Sequence, residues 1–161
     1  LEMIRLKTSI LFGSAAYGGA LIGDKTIEEA NELRQMAIWV GLGFQIWDDY
    51  LDATAPAEVL GKPSGSDIRQ GKRTLLVIEA LNRTKPGERK ELIRILDDSK
   101  NTDDDVQRAV EIMSECGALE NCRKQALDYL HGAKETIEKY PKGEARELLE
   151  ELLEYMVTRG H

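Results

Sequence analysis

Apolar side chains recur at three- and four-residue spacing along almost all of this 161-residue chain, and only four prolines interrupt it. That period lines the apolar groups up on one stripe of an α-helix, whereas a half-buried strand needs strict alternation. No segment reads as a strand, so the spacing predicts an all-α fold of helices joined by short turns. With 42% hydrophobic and 32% charged residues, the chain has the composition of a globular protein with a sizeable core. No internal repeat or linker divides it.

The first helical stretch is predicted over Leu1–Phe12, continuing as a closely packed small-residue helix to Ile22 and ending at the Gly23-Asp24-Lys25 turn. Thr26 followed by Glu29 is a capping-box arrangement, and it opens a long pattern from Ile27 to about Ala53. The core face of that helix takes Leu33, Met36, Ala37, Val40, Phe44 and Trp47. Gly41 and Gly43 inside it each cost about 1 kcal/mol relative to alanine, which points to close packing against another helix or to a ligand near the backbone, the first being favoured. Residues 55–71 read as the longest irregular segment, a Gly- and Ser-containing candidate for a ligand-gated lid. Later helices are expected at about 73–82, 86–97, 103–114, 119–140 and 143–158.

Lys and Arg total 22 against 29 Asp and Glu, a formal charge of -7. That balance disfavours nucleic acid and anionic membrane surfaces as partners. No apolar run approaches the roughly 20 residues that cross a bilayer, so no stable membrane insertion is expected, and the expected location is cytoplasmic. Cys116 and Cys122 are poorly placed for a disulfide and fit a reducing compartment. His131 and His161 have no metal-ligand spacing, and no nucleophile elbow, P-loop or dinucleotide fingerprint is present. The run Asp103-Asp104-Asp105 falls at a helix start, where capping and N-terminal acids are expected, and reads as structural.

Chemistry concentrates in Phe44-Gln45-Ile46-Trp47-Asp48-Asp49-Tyr50-Leu51-Asp52 and in Gly61-Lys62-Pro63-Ser64-Gly65-Ser66-Asp67 with the following Lys72. Asp48 and Asp52 are four residues apart, so their carboxylates share a helical face, with Asp49 displaced sideways. Near a helix C-terminus such acids are unfavourable with the macrodipole unless a cation joins them. A hard divalent cation such as Mg2+ takes one or two carboxylates and completes its shell with water and substrate phosphates. Lys62 and Lys72 are placed to meet phosphate oxygens that the metal does not neutralise. Gln45 shares the face of Asp48 and Asp52 and can present its amide near a substrate, while Phe44 fits either core or substrate wall.

These segments resemble the second aspartate-rich region of the trans-isoprenyl diphosphate synthases, the polyprenyl synthetase family, in its short-chain branch. Met3-Ile4-Arg5-Leu6-Lys7-Thr8 and Cys116-Gly117-Ala118 extend the resemblance along the chain. It implies an isoprenoid-synthase-type helical bundle and a Mg2+-dependent prenyltransferase that condenses isopentenyl diphosphate with an allylic diphosphate. By the resemblance, Asp48, Asp49 and Asp52 bind metal, and Lys7, Lys62 and Lys72 contact diphosphate. Asp67 acts through water or a neighbouring basic group, Thr8 and Gln45 lie near the reacting end of the allylic substrate, and Phe44 is a candidate substrate contact. Trp47 departs from the smaller or aliphatic residues usual there. The whole protein is implied to be a homodimer.

The family's earlier aspartate-rich motif, with the arginines and lysine that grip both substrates, has no counterpart in this sequence. Residues 1–161 are therefore expected to be the C-terminal half of one synthase domain and inactive alone. The same absence leaves the product chain length open. Two other readings share the helical fold. A terpene cyclase usually mixes Asn, Ser or Thr with acids in its second metal motif; a non-catalytic subunit or scaffold would have little need of these aspartates and lysines.

Overall fold

The computed structural model describes residues 1–61 and 63–158, and among them every regular element is helical. They are α1 (Glu2–Ile4), a π-helical turn (Arg5–Ser9), α2 (Ile10–Ile22), α3 (Ile27–Thr54), α4 (Ala57–Leu60), α5 (Ser66–Arg69), α6 (Leu75–Arg83), α7 (Pro86–Asp97), α8 (Asp103–Glu115), α9 (Ala118–Ile137) and α10 (Glu144–Thr158). The chain divides into two compact units, one of residues 1–45 and 125 onward, the other of residues 46–124. None of the described helices is long and apolar enough to cross a membrane.

In the first unit, α3 begins at the capping box read from the sequence. Thr26 N–H donates to Glu29 Oε2 at 2.9 Å, and Glu29 N–H donates to Thr26 Oγ1 at 3.2 Å. Met36, Val40, Leu130, Ala133, Ile137, Leu153 and Met156 form its core, with Leu33 and Phe44 packed against them. Both glycines of α3 sit where another helix comes close. A Cβ on Gly41 would lie 2.6 Å from Ser9 Cα, and one on Gly43 would lie 2.7 Å from Leu130 Cγ and 2.9 Å from the Ala126 carbonyl oxygen. Near that contact the first helical run widens into the π turn, which the apolar spacing did not predict.

In the second unit, α6, α7 and α8 pack around Leu76, Val77, Leu92, Ile95, Ile112 and Met113, all almost wholly buried. Pro86 opens α7 at its first position, where its missing N–H costs nothing. Thr102 caps α8 by accepting from Asp105 N–H at 3.2 Å. The Asp105 carboxylate accepts from the Thr102 N–H at 3.0 Å, so the acidic run is a cap, as its position indicates.

The segment 55–71 departs from its reading as irregular chain. It contains two short helical turns, α4 and α5, with Gly65 and Gly71 at φ of 71° and 64°. A side chain at either glycine would strain a left-handed backbone and would also run into Val106 or the Leu96 carbonyl oxygen. Those glycines, which read as flexibility in the sequence, here fit the segment closely against α8 and α7.

Candidate functional site

The second unit sets the three aspartates of α3 in three environments: Asp48 is exposed, Asp49 half-buried, and Asp52 only 4% exposed. A buried carboxylate is costly unless its oxygens are hydrogen-bonded. Asp52 Oδ1 accepts from Ser66 Oγ at 2.5 Å, and Oδ2 accepts from the Asp67 N–H at 2.9 Å. Its main-chain carbonyl accepts from Gly65 N–H at 2.6 Å and from Ser64 Oγ at 3.3 Å. The end of α3 thus grips the segment that the sequence reading treated as a lid.

Beyond that grip, Lys72 Nζ donates to Asp67 Oδ1 at 2.5 Å and Lys72 N–H donates to the Asp67 carbonyl at 2.9 Å. Lys72 keeps about half of its side-chain surface in solvent, against 19% for Asp67. Asp49, Asp52, Asp67 and Lys72 line one small cavity whose apolar wall includes Ile68 and Val77. On the far side of the segment, Asn101 Nδ2 donates to the carbonyls of Ile68 and Ile95 at 3.3 and 3.2 Å, and Arg69 pairs with Asp103 at 2.5 Å. Lys62 lies outside the described residues.

The donor set is all oxygen, which suits a hard cation. Among the described residues no three acidic, histidine or cysteine side chains converge into a preformed metal cage. The solvent-facing Asp48 and half-buried Asp49 could offer carboxylate oxygens to a divalent cation whose shell is completed by water and phosphates. No nucleophilic thiol competes here. Burial pushes the Cys122 thiol up to about 12, helped by the Glu79 and Asp49 carboxylates and opposed by Arg83.

In the first unit, Lys7 and Thr8 lie on the π turn, Lys7 exposed and Thr8 half-buried. Thr8 Oγ1 donates to Gln45 Oε1 at 3.0 Å, so two residues 37 apart in sequence are joined. Phe44 is half-buried, its ring centroid 6.1 Å from that of Phe12 in a tilted pair. Trp47, in the second unit, is buried and packs its ring on Tyr50, centroids 5.4 Å apart. His131 is exposed beside Glu135.

The residues that sequence reasoning missed are Ser64, Ser66 and Asn101, none of them chemically distinctive. Hydroxyls beside Gly65, twelve to fourteen residues past a buried carboxylate, were the one available signal.

The polyprenyl synthetase family model matches residues 1–113. The chain is 40% identical over its whole length to a short chain isoprenyl diphosphate synthase of Methanothermobacter thermautotrophicus, covering 49% of that protein. It is 38% identical over its whole length to a geranylgeranyl diphosphate synthase of Methanosarcina mazei, covering 48% of it. Among solved structures, polyprenyl synthase from Caulobacter crescentus, complexed with calcium and isoprenyl diphosphate, superposes with a TM-score of 0.87 at 36% identity, over 99% of this chain and 49% of that one. Geranylgeranyl pyrophosphate synthetase from Pyrococcus horikoshii gives 0.90 at 36% identity, over 98% of this chain and 47% of that one.

An all-α fold of this kind is that of the polyprenyl synthases. The chain belongs to the polyprenyl synthetase family, and it spans about half the length of the curated relatives it matches.

Proposed function

We propose that this chain is the C-terminal half of an isoprenyl diphosphate synthase domain and supplies one wall of its active site. The whole enzyme condenses isopentenyl diphosphate with an allylic diphosphate to make a short-chain isoprenyl diphosphate. The observation that carries this reading is that half-buried Asp49 lines one cavity with a lysine, Lys72, held on the Asp67 carboxylate, with exposed Asp48 one residue before Asp49 on the helix. Carboxylates for a cation and an ammonium for phosphate oxygens, side by side, are the parts of a diphosphate clamp. Exposed Met3, Leu6 and Leu11 on the first helical run are surfaces that further helices of the whole domain would cover.

In the reaction, the allylic C–O bond breaks heterolytically and diphosphate leaves with the electron pair. The double bond of isopentenyl diphosphate attacks the resulting cation, and loss of a proton leaves a new double bond. A divalent cation bound there would supply positive charge to the leaving oxygens. Lys72 and Lys62 add donors and charge on the same oxygens, with Asp67 aiming Lys72 until a phosphate takes over. By the family likeness, Lys7 contacts diphosphate, Thr8 and Gln45 lie near the reacting end of the allylic substrate, and Phe44 contacts substrate. Asp48 and Asp49 would hold the metal, and Asp52, one turn on, holds the Ser66 hydroxyl and the Asp67 N–H. The family likeness also supports a homodimer and a cytoplasmic location for the whole protein.

The test is turnover. The full-length protein, given Mg2+ and both diphosphates, should release diphosphate and form a longer prenyl product, while residues 1–161 alone should release none. No diphosphate release by the full-length protein from any allylic partner would defeat the transferase reading.

A further inference from the structure

We propose that Asp52 is a positioning residue: it is the anchor that sets Asp67, and through it Lys72, and it is not itself a metal ligand. This deepens the diphosphate-clamp reading and rests on it for the role of Lys72. The steps of the relay are all short. Ser66 Oγ and the Asp67 N–H occupy the two carboxylate oxygens of Asp52 at 2.5 and 2.9 Å. Asp67, fixed by its own N–H, presents Oδ1 to Lys72 Nζ at 2.5 Å. Lys72 N–H closes the turn on the Asp67 carbonyl at 2.9 Å.

Asp52 differs from Asp48 in what surrounds it. At 4% exposure its carboxylate faces protein donors, and both oxygens already accept from the segment that follows. A cation could reach Asp52 only through the lone pairs that the Ser66 hydroxyl and the Asp67 N–H leave over, on a side chain that is almost wholly buried. Asp48, on the same helix, is exposed to solvent. Equal spacing in the sequence hides a division of labour between carboxylates that meet solvent and one that fixes the backbone of a lysine-bearing turn.

The anchor is read directly by backbone amide hydrogen exchange on the 161-residue chain, with no metal or diphosphate present. D52A removes the acceptor of the Asp67 N–H and should speed its exchange roughly tenfold or more, the loss of one charge-assisted hydrogen bond; S66A, which removes the donor to the other carboxylate oxygen and so loosens Asp52, should speed it about threefold. D48A should leave it unchanged. Because D52A touches a buried site, S66A is the variant that keeps the fold intact, and S66T, which restores the hydroxyl, should return the wild-type rate.

A second readout is the rate at which Lys72 is acylated by acetic anhydride, followed by mass spectrometry. A loosened Asp67 leaves the amine less held, so S66A should raise the rate about threefold or more, and S66T should reverse it. A loss of general stability would not give this reversal at one lysine. Wild-type exchange and acylation in both D52A and S66A would overturn the proposal. So would Mn2+ titration of the full-length protein in which D52N loses affinity as far as D48N while the Asp67 amide stays protected. If the transferase reading fails, the full-length protein shows no turnover, yet the exchange result still stands or falls by itself.

Discussion

Gly41 is where the first unit is least forgiving, and replacing it by alanine tests the packing account. A Cβ there would meet Ser9 Cα at 2.6 Å, Ser9 Cβ at 2.9 Å and Ser9 Oγ at 3.1 Å. The nearest atom is backbone, and Ser9 is wholly buried, so no side-chain rotation relieves the contact. Overpacking costs 1–3 kcal/mol, and an immovable backbone neighbour takes the upper end, about 3 kcal/mol. Alanine recovers about 1 kcal/mol of helix propensity. The net loss is about 2 kcal/mol, or about 4–8 °C in Tm for a chain of this size.

Gly19 supplies the control, since it is an exposed helical position where an added Cβ meets nothing within 4 Å. G19A keeps the propensity gain without the clash and should melt about 2–4 °C above wild type. Thermal melts of the three proteins followed by circular dichroism measure both shifts, and they should have opposite sign. A G41A protein melting at or above wild type would refute the close approach of the π turn to α3, and with it the account of how Thr8 comes within reach of Gln45 one turn further along that helix.

Three further outcomes follow from named groups. The Thr102 N–H, the Arg94 guanidinium and the Thr102 hydroxyl hold Asp105 down from 3.8 to about 2, so it stabilises the fold above its unfolded value and loses that contribution as pH falls toward 2. The urea midpoint of wild type should therefore drop more steeply than that of D105N between pH about 4.5 and about 2.5. Cys122, its pKa at about 12 and its side chain buried, has about one thiolate per ten thousand at pH about 8. A disulfide reagent should label half-buried Cys116 in the folded chain and reach Cys122 only after denaturation, as peptide mapping will show. In the full-length protein, D48N should lower kcat by about a hundredfold, partly recovered at high Mg2+, while leaving the melting temperature near wild type because Asp48 is exposed.

Much of this fold is legible because its signals are local. Thr26 and Glu29 cap α3 by contacts three residues apart, and Pro86 marks the start of α7 through the chemistry of its own ring. The small residues at 41 and 43 likewise announce close helix packing, although the sequence does not name Ser9, Leu130 or Ala126 as what comes close. The π turn escapes notice because one extra residue in a single turn barely disturbs a three- and four-residue period. Residues 55–71 misread for a different reason: glycines that meet the demand for positive φ look, in a sequence, like glycines that confer freedom.

The aspartates show the same limit at the site itself. Helical spacing places Asp48 and Asp52 on one face, and that inference is sound as far as the helix goes. It says nothing of the chain that returns twelve to fifteen residues later and sets Ser64, Ser66 and the Asp67 amide against Asp52. A carboxylate in water and a carboxylate wrapped by donors do different work at identical spacing, because the second has already traded its hydration for protein hydrogen bonds. The motif therefore divides by burial: its exposed end meets solvent and suits a cation, while its buried end fixes the turn from which Lys72 reaches outward. What the proposed diphosphate site offers is set as much by the two serines and the glycine of that returning segment as by the acids that make the motif recognisable.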